Sequence, residues 1–425
     1  MAEGFALSSQ QRRIWQLTER GGMLVRNTLV ATLHGVEEHI LREAIDIVCV
    51  HHEMFKVKFL HQPGLKFPSQ VLADDTPDFQ SGKAESDGSE IVPIIFSIKP
   101  AANGAKSFSM EIHPLYGDST SLKILWQDIS QCYVALQNGE DGAKHFQERF
   151  QYIDYSEWQQ ELAAEPTFSE AGKKWKKIIA SERFYETLPF ERVPKGPGRI
   201  QCGSMELPPM IAGDLERYSN QYQVDVDALM LLNWYRLLTS FNKKILIGSK
   251  SPMRYRAELQ SVVGPMEKYF PTVINVDQGG FSDQALHLQE LISVIASEPE
   301  SFDLALFGDE QTNFHYLFES IALPSAKEDL PWECQQITDG LEPFRLKLSC
   351  CKQDDRPAQI RLYYDDAFYD DRTVQNLLVC FVSRMEEVLK GNDWSTGNIE
   401  AVLIDQITKR TIVPPARTTV VERFE

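Results

Sequence analysis

One stretch of the chain combines residue types that could carry out proton chemistry. An apolar segment ends at His113, Pro114 follows, and a Gly117-Asp118 turn leads into the helical run Ser121–Tyr133. Proline disfavours helical backbone in the residue before it, so the pattern predicts that His113 ends a strand. Side chains at strand-to-helix junctions often face a cleft, and imidazole is well suited to proton transfer near neutral pH. Judged from the sequence spacing alone, a histidine in such a place is more often packed or solvated than catalytic.

Other candidate sites are weaker or absent from the sequence. It contains no Gly-rich phosphate loop followed by Lys-Ser/Thr, no GxSxG elbow and no HExxH. The neighbours His51 and His52 would point about 100° apart on a helix, so we expect no shared metal there. A Ser/His/Asp triad cannot be tested by spacing, because triads assemble from distant segments.

The cysteines indicate a reducing environment. None of the seven belongs to a CxxC pair, and two are adjacent. We therefore predict free, mostly buried thiols, no metal site and a cytoplasmic location. The seven are Cys49, Cys132, Cys202, Cys334, Cys350, Cys351 and Cys380.

Composition excludes several classes of protein. The 425 residues include 43 Lys+Arg and 61 Asp+Glu, a formal charge of −18, with 43% hydrophobic and 24% charged residues. These values are typical of a globular protein of about two or three domains. An acidic chain is poorly suited to nucleic acid, since phosphate neutralisation needs clustered Lys and Arg. No run approaches the roughly 20 apolar residues of a membrane span, and Met1–Arg12 lacks a secretory apolar core.

The elements that would position His113 alternate between helix and strand. Two apolar stripes with helical spacing run over Leu41–Cys49 and Val374–Val388, the second with Asp370 at its start and Gly391 at its end. Short segments rich in Ile, Val, Phe or Tyr predict strands. They are Ile91–Ile98, Ser107–His113, Lys244–Gly248, Thr272–Val276 and Gln359–Tyr364. The pattern is α/β or α+β.

Three segments depart from that alternation. Ala73–Glu90 is polar and acidic, which predicts a surface loop or insertion. Glu182–Arg199 contains three prolines and no periodicity, so it is the expected connection between an N-terminal and a C-terminal half. After Pro414-Pro415, the residues Thr418–Glu425 look like the start of a further domain.

Five segments together resemble the condensation domains of nonribosomal peptide synthetases, which are chloramphenicol-acetyltransferase-like. Their family patterns are Ser-x-x-Gln-x-Arg-x-Trp, His-Glu-x-Leu-Arg-Thr-x-Phe, Tyr-x-Asp-Tyr-x-x-Trp, Gly-Arg-x-x-x-Glu-Leu and Tyr-x-x-x-x-Phe. In the same order, the segments are Leu7–Leu17, His52–Phe59, Tyr152–Trp158, Met253–Leu259 followed by Gly264, and Tyr363–Phe368.

The resemblance implies an architecture and a set of partners. The fold would be α/β (α+β), with two acyltransferase-like lobes in a V, each a sheet with packed helices. The lobes would be residues 1–181 and 200–400, joined by 182–199, with 401–425 as the linker and the start of an adenylation domain. Carrier proteins would deliver substrates on phosphopantetheine arms through a tunnel. No cofactor would bind the domain itself, and neither nucleic acid nor membrane would be a partner.

The resemblance also assigns roles to individual residues. His113 falls on the second, catalytic His of the family's His-His-x-x-x-Asp-Gly motif, where it would accept the amine proton or hydrogen-bond the tetrahedral intermediate. Arg254 would orient the loop through Asp118. Four residues would be structural, in the N-terminal lobe and under the tunnel: Arg12, Trp15, Asp154 and Trp158.

The motif at His113 departs from the family pattern. Ile112 replaces the first His, while Gly117 and Asp118 stand in the order opposite to the family's Asp-Gly. The family's Gly gives substrate a close approach, and a side chain at its position narrows the space. Lys268 replaces an Asn of the second lobe. Late family motifs have no clear copy, and Glu298–Gln336 is the poorest match.

Two main functions remain open. The first is an active enzyme that forms an amide or ester bond between carrier-tethered substrates through His113. The second is a degenerate, non-catalytic platform for an adenylation domain, a carrier or a recruited tailoring enzyme. A free-standing acyltransferase is a lesser alternative, and the adenylation-like tail disfavours an epimerisation domain. An open tunnel at His113 and an Asp118–Arg254 pair would favour catalysis.

Overall fold

A computed structural model describes most of the chain. The described residues are 4–19, 25–61, 63–73, 91–146, 149–165, 173, 187–241, 245–274, 279–297, 299–302, 314–326, 330–340, 342–352 and 358–392. Three predicted features therefore lie wholly or largely outside them: the insertion 73–90 apart from Ala73, the linker 401–425, and residues 182–186 of the connection.

Eight helices of two turns or more are present in the described residues. They are α1 (Ser9–Glu19), α2 (Glu38–His51), α3 (Ser119–Gln137), α4 (Tyr152–Ala163), α5 (Pro209–Tyr222), α6 (Val226–Thr239), α7 (Phe281–Ser297) and α8 (Asp371–Leu389). The predicted caps of the last helix are present. Asp370 accepts a hydrogen bond from the Thr373 amide, and Gly391 has the left-handed φ of 82°.

The described strands form two main sheets and a ribbon. They are β1 (Asn27–Leu33), β2 (Val57–Leu60), β3 (Ser69–Leu72), β4 (Ile94–Pro100), β5 (Lys106–Ile112), β6 (Ile200–Glu206), β7 (Ile247–Ser251), β8 (Lys268–Thr272), β9 (Tyr316–Ala322), β10 (Trp332–Thr338), β11 (Leu346–Lys352) and β12 (Gln359–Asp365). The first sheet has the order β10-β1-β5-β4, the second the order β6-β12-β11-β9-β7-β8, and β2 pairs with β3.

The first sheet is antiparallel and holds the segment that contains His113. Strand β5 lies between β1 and β4, and its last residue Ile112 pairs with Asn27 and Ile94. Alternate residues such as Leu29 and Met110 face the buried core, where α3 packs, as the period of two in a strand requires. His113 follows β5 directly, so the predicted strand end at this residue is confirmed.

The second sheet is mixed. Strands β7 and β11 run parallel to β9, and the remaining neighbours are antiparallel. Residues such as Leu348 and Leu362 on one face belong to a second core that also contains apolar residues of α5, α6 and α8. The other face carries charged side chains toward the first sheet.

Strand β10 crosses between the halves of the chain. It follows β9 of the second sheet but pairs antiparallel with β1 in the first, where Cys334 and Ile337 join the first core. Residues 200–400 therefore contribute a strand to the first sheet. The boundaries 1–181, 182–199 and 200–400 otherwise stay a prediction.

Three strand predictions were displaced. The segment predicted at Ile91–Ile98 forms β4, which runs from Ile94 to Pro100. The segment predicted at Lys244–Gly248 forms β7 three residues later, and the one at Thr272–Val276 ends at Thr272 instead of beginning there. Strand β8 contains Lys268 and Pro271, which read as loop residues. It is an edge strand paired with β7, where proline is tolerated, and the ammonium of Lys268 has a buried carboxylate partner.

Candidate functional site

A tight turn holds His113 at the end of β5. Its amide donates to the Pro93 carbonyl at 2.8 Å, and its own carbonyl accepts from the amides of Tyr116 at 2.8 Å and Gly117 at 3.2 Å. The ring is half-buried, and the Leu115 amide donates to its Nδ1 at 3.2 Å. The imidazole is thus fixed by backbone groups of its own loop.

These contacts decide the protonation of His113. A backbone N–H is only a donor, so Nδ1 is an acceptor, and the neutral ring carries its proton on Nε2. Arg26 begins the neighbouring strand and spans β5, donating to the carbonyls of Glu111 and Val92. Burial, aided by the Arg26 charge, lowers the pKa of His113 to about 4. At neutral pH the ring is neutral and offers an N–H donor at Nε2.

Asp118 is the buried anchor of the loop. It is the N-cap of α3 and accepts from the Ser121 amide at 2.7 Å. Arg254 donates to both of its carboxylate oxygens, at 2.9 and 3.1 Å. The amides of Met266 and Glu267 add two more hydrogen bonds. Burial alone would raise the pKa of Asp118, but Arg254 and the other donors outweigh it, so the pKa lies below its usual value.

The His113 loop is one residue longer than the family pattern. The pattern places its Asp four residues after the second His, whereas Asp118 comes five residues after His113 and still pairs with Arg254. Asp118 therefore makes the contact with Arg254 that the pattern's Asp would make, from one position later in the chain. The residue after the Asp, Gly in the pattern, is Ser119, whose side chain is 1% exposed.

Gly117 and Ile112 fit together. A Cβ on Gly117 would overlap Cδ1 of Ile112 and lie 3.0 Å from Cβ of Ser121. The side chain of Asn27 holds the backbone of Gly117 in place. The Asn27 amide group donates to the Gly117 carbonyl at 2.8 Å, and the Asn27 side-chain oxygen accepts from the Gly340 amide at 2.9 Å. Ile112, which stands where the pattern has its first His, occupies the space that a side chain on residue 117 would need. Glycine at position 117 leaves that space free.

The second-lobe motif docks on the first lobe. Met253, which replaces the pattern's Gly, has a left-handed φ of 61°, a conformation that normally favours Gly. A Cβ on Gly264 would overlap the Tyr152 ring, whose hydroxyl donates to the Pro265 carbonyl at 2.8 Å. This close approach aligns Arg254 with Asp118.

The four predicted structural residues lie apart from His113. Trp15 packs edge-on against His61 at 5.3 Å, and Arg256 lies 5.0 Å from the Trp158 ring. Asp154 is exposed and caps α4 by accepting from the Gln151 amide.

Arg12 was the wrong choice for the motif arginine. Counting from Ser8, the pattern's Arg falls on Arg13, while Arg12 donates to the Leu7 carbonyl and is only half-buried. Arg13 is 2% exposed and makes two hydrogen bonds to Glu342, at 2.8 and 3.0 Å.

Sequence reasoning missed a group of buried charges beside Ser119, here named the Lys250 cluster. The Lys250 ammonium lies 3.0 to 3.1 Å from a carboxylate oxygen of Glu267, Glu319 and Asp339, and donates to the Ser119 hydroxyl at 2.9 Å. The cluster comprises Lys250, Glu267, Glu319, Asp339, Lys347 and Tyr269. The six residues lie on five separate segments of the chain, so the cluster can be recognised only in the folded structure.

A second buried charge pair explains the unusual Lys268. Its ammonium lies 3.1 Å from a carboxylate oxygen of Glu300, which also accepts a 2.6 Å hydrogen bond from the Tyr155 hydroxyl. The pair joins β8 to α4.

The remaining titratable candidates have structural contacts. His52 Nε2 lies 2.9 Å from the Asp128 carboxylate, which also pairs with Arg149. Six of the seven cysteines are buried, Cys202 is half-buried, and all seven are free, as predicted. Within the described ranges, no cluster of His, Cys, Asp or Glu could hold a metal ion. A search of the same ranges finds no helix long and apolar enough to cross a membrane.

Comparison with known proteins identifies relatives along nearly the whole chain. The condensation-domain family model matches residues 98–406. Bacitracin synthase 3 of Bacillus licheniformis is 22% identical over 450 aligned residues, which cover 95% of this chain but 7% of that protein. The chain is thus similar to a small part of a much longer synthetase.

Solved structures agree on the fold. The X-domain from teicoplanin biosynthesis matches with a TM-score of 0.76 at 17% identity, covering 93% of this chain and 97% of that one. The first condensation domain of the CDA synthetase matches with a TM-score of 0.76 at 13% identity, covering 93% and 98%. The predicted fold class is confirmed: mixed α/β, with two chloramphenicol-acetyltransferase-like lobes.

Proposed function

The chain belongs to the condensation-domain family, and we propose that it is a non-catalytic member, which serves as a platform within a nonribosomal peptide synthetase. Its partners would be the adjacent adenylation domain, a carrier protein or a recruited tailoring enzyme. Phosphopantetheine would enter only as the arm of a docked carrier, so the domain itself needs no cofactor.

The observation that carries this proposal is the side chain at Ser119. It takes the position of the family's Gly, where substrate needs a close approach. Its hydroxyl donates to the Glu267 carboxylate at 2.8 Å and accepts from Lys250 at 2.9 Å. Moving it aside would break hydrogen bonds to two buried charged groups, each worth about 1.5–3 kcal/mol. We expect this position to stay closed to a tethered substrate.

The state of His113 supports the same conclusion. A general base must present an unprotonated nitrogen to the amine, and its pKa should lie near the working pH. At His113, Nδ1 accepts from Leu115 and Nε2 carries the proton, while the pKa is about 4. The ring can donate a hydrogen bond but is poorly suited to remove a proton.

A structural neighbour illustrates what such a domain can do. The X-domain from teicoplanin biosynthesis has been solved in complex with OxyB, and this chain matches it with a TM-score of 0.74 at 17% identity. By analogy of fold, a recruited enzyme is a reasonable partner class for this chain.

One observation favours the alternative function, an active acyltransferase. Asp118 and Arg254 form the expected pair despite the longer loop, and His113 remains at the end of β5. In that case, the Nε2 proton of His113 would stabilise the oxyanion of a tetrahedral intermediate, and acceptor attack would depend on positioning of the two tethered substrates.

The test is a condensation assay with both carriers loaded. Cognate donor and acceptor carriers are charged, their loading is verified by mass spectrometry, and product is sought with the wild type, His113→Ala and the control His145→Ala. His145 is exposed and lies outside the loop. We expect no product above the carrier-only background from any of the three proteins. Unchanged binding of the adenylation domain by His113→Ala would support the platform.

Product from the wild type and from His145→Ala, but not from His113→Ala, would overturn the proposal in favour of catalysis. Product formed equally by all three proteins would also refute it, and would exclude His113 as the catalyst.

A further inference from the structure

The Lys250 cluster joins the two sheets. Lys250 lies on β7, Glu319 on β9 and Lys347 on β11, all in the second sheet. Ser119 begins α3, which packs on the first sheet, and Asp339 follows β10 of that sheet directly. The charged groups therefore come from both sides of the contact between the sheets.

Lys250 is the hub of the cluster. An ammonium has three donor hydrogens, and here they reach the Ser119 hydroxyl and the carboxylates of Glu319 and Asp339 at 2.9 to 3.0 Å. Two of these three contacts cross from the second sheet to the first. The side chain of Lys250 is 6% exposed, so water screens these interactions little.

Other members of the cluster cross in the same way. Glu267 accepts from the Thr120 amide at 3.0 Å and from its hydroxyl at 2.6 Å. Lys347 donates to the Asp339 carbonyl at 2.7 Å, and the Tyr269 hydroxyl donates to the Asp339 carboxylate at 3.1 Å. Each bond fixes a distance between an atom of one sheet unit and an atom of the other.

The charges make the cluster interdependent. Two lysines face three carboxylates inside the cluster, so removing Lys250 leaves Lys347 alone among Glu267, Glu319 and Asp339. Burial would lower the pKa of Lys250, but the surrounding carboxylates raise it well above its usual value. The ammonium therefore stays charged across the whole range in which the protein would be studied.

Apolar contacts between the sheets do not provide the same restraint. Leu317 and Ile321 of β9 belong to the first core and attach the second sheet to it. Hydrophobic contact is non-directional, so by itself it permits several relative placements. Hydrogen bonds from one ammonium to three fixed partners permit far fewer.

We propose that the Lys250 cluster is an electrostatic lock that fixes one relative arrangement of the two sheets, and that removing Lys250 or the charge of Asp339 loosens the interface while each sheet keeps its own fold. The lock does not depend on the proposed function, because it involves only contacts within this chain.

The test compares amide hydrogen exchange in the wild type, Lys250→Met and Asp339→Asn. The interface reporters are the amides of Thr120, Met266 and Glu267, of which the first bonds to Glu267 and the other two bond to Asp118. We expect exchange at all three to accelerate together, by about tenfold or more, since exchange follows the free energy of local opening. Amides within β11 and β12 should keep their wild-type protection.

The control is Leu362→Ala, which opens a cavity in the second core without touching the cluster. Leu362 is fully buried there. We expect faster exchange within β11 and β12 and no selective change at the interface.

Asp339→Asn removes the charge while keeping the size of the side chain, so it remains informative if Lys250→Met does not fold. The lock is refuted if the interface amides of a folded variant keep wild-type exchange. It is also refuted if the variants accelerate exchange in both sheets as strongly as at the interface.

Discussion

The fit between Gly117 and Ile112 predicts a strong coupling between two mutations. Gly117 has no left-handed φ, so alanine suits its backbone, and the penalty for Gly117→Ala comes from contact alone. The new Cβ would overlap Cδ1 of the fully buried Ile112. Overpacking of this kind costs about 1–3 kcal/mol. Alanine recovers about 0.4–1 kcal/mol by restricting the unfolded chain. We expect a net loss of about 1–2 kcal/mol.

Ile112→Val removes the overlapping Cδ1 atom and should cost about 0.5–1.5 kcal/mol by itself. In the Ile112→Val background, the severe overlap with Cδ1 is gone, and the Cβ of Gly117→Ala keeps two tight contacts, at 3.0 Å from Cβ of Ser121 and 3.2 Å from Cγ1 of residue 112. The double variant should therefore be about 1–2 kcal/mol more stable than the sum of the single effects predicts.

The assay is urea unfolding of all four proteins, followed by circular dichroism and tryptophan fluorescence. Gly213→Ala is the matched control, since a Cβ there meets nothing within 4 Å on exposed helix α5, and alanine should stabilise it by about 0.5–1 kcal/mol. Additive effects of the two mutations would refute the argument that Ile112 makes glycine necessary at position 117.

Three further predictions concern the buried charges. Arg254→Met should lower the free energy of unfolding by about 3–5 kcal/mol by leaving the Asp118 carboxylate without its cation, and adding Asp118→Asn should recover part of that loss in the same urea assay. In an NMR titration, His113 should titrate near pH 4, because burial and the Arg26 charge lower its pKa to about that value. Because the unfolded ring protonates near 6.5 and the folded one near 4, stability conferred by neutral His113 is complete above pH 6.5 and falls as pH drops toward 4. His113→Gln should flatten that decline. Lys268→Met should destabilise the protein by leaving Glu300 buried without its ammonium, and adding Glu300→Gln should restore stability in part.

Local signals were enough to place His113 and the helices around it. A proline after the histidine, a capping Asp before a helical run and apolar stripes of helical period all depend on neighbours in sequence, and the structure has each of them. Motif order aligned Arg254 with the arginine that pairs with the motif Asp in the family, but left open whether Asp118, one residue further along, would reach it. Only the folded structure shows that Asp118, at the N-cap of α3, makes the pair.

The misses share one cause, which is dependence on tertiary partners. Strand β8 reads as a loop until Lys268 is seen against Glu300, and the burial of Arg13 becomes visible only when Glu342 pairs with it. The crossing of β10 into the first sheet and the Lys250 cluster both join residues far apart in sequence. Such contacts leave no periodic signal, because each partner follows the local pattern of its own element.

The departures from the family motif form one connected set. Ile112 makes a side chain at 117 unfavourable, Asp118 stands one residue later than the pattern's Asp, and Ser119, which follows it, lies beside Lys250. Changing one of these residues back to the family pattern would therefore disturb the contacts that the others make. Ser119→Ala would remove a hydroxyl that both Lys250 and Glu267 use, without the extra backbone freedom of glycine, and the charged cluster left short of a partner would lower stability by about 1–3 kcal/mol. If the hydroxyl of Ser119 were incidental, Ser119→Ala would leave the free energy of unfolding unchanged. A measurable loss would indicate that this loop depends on the Ser119 hydroxyl for its stability.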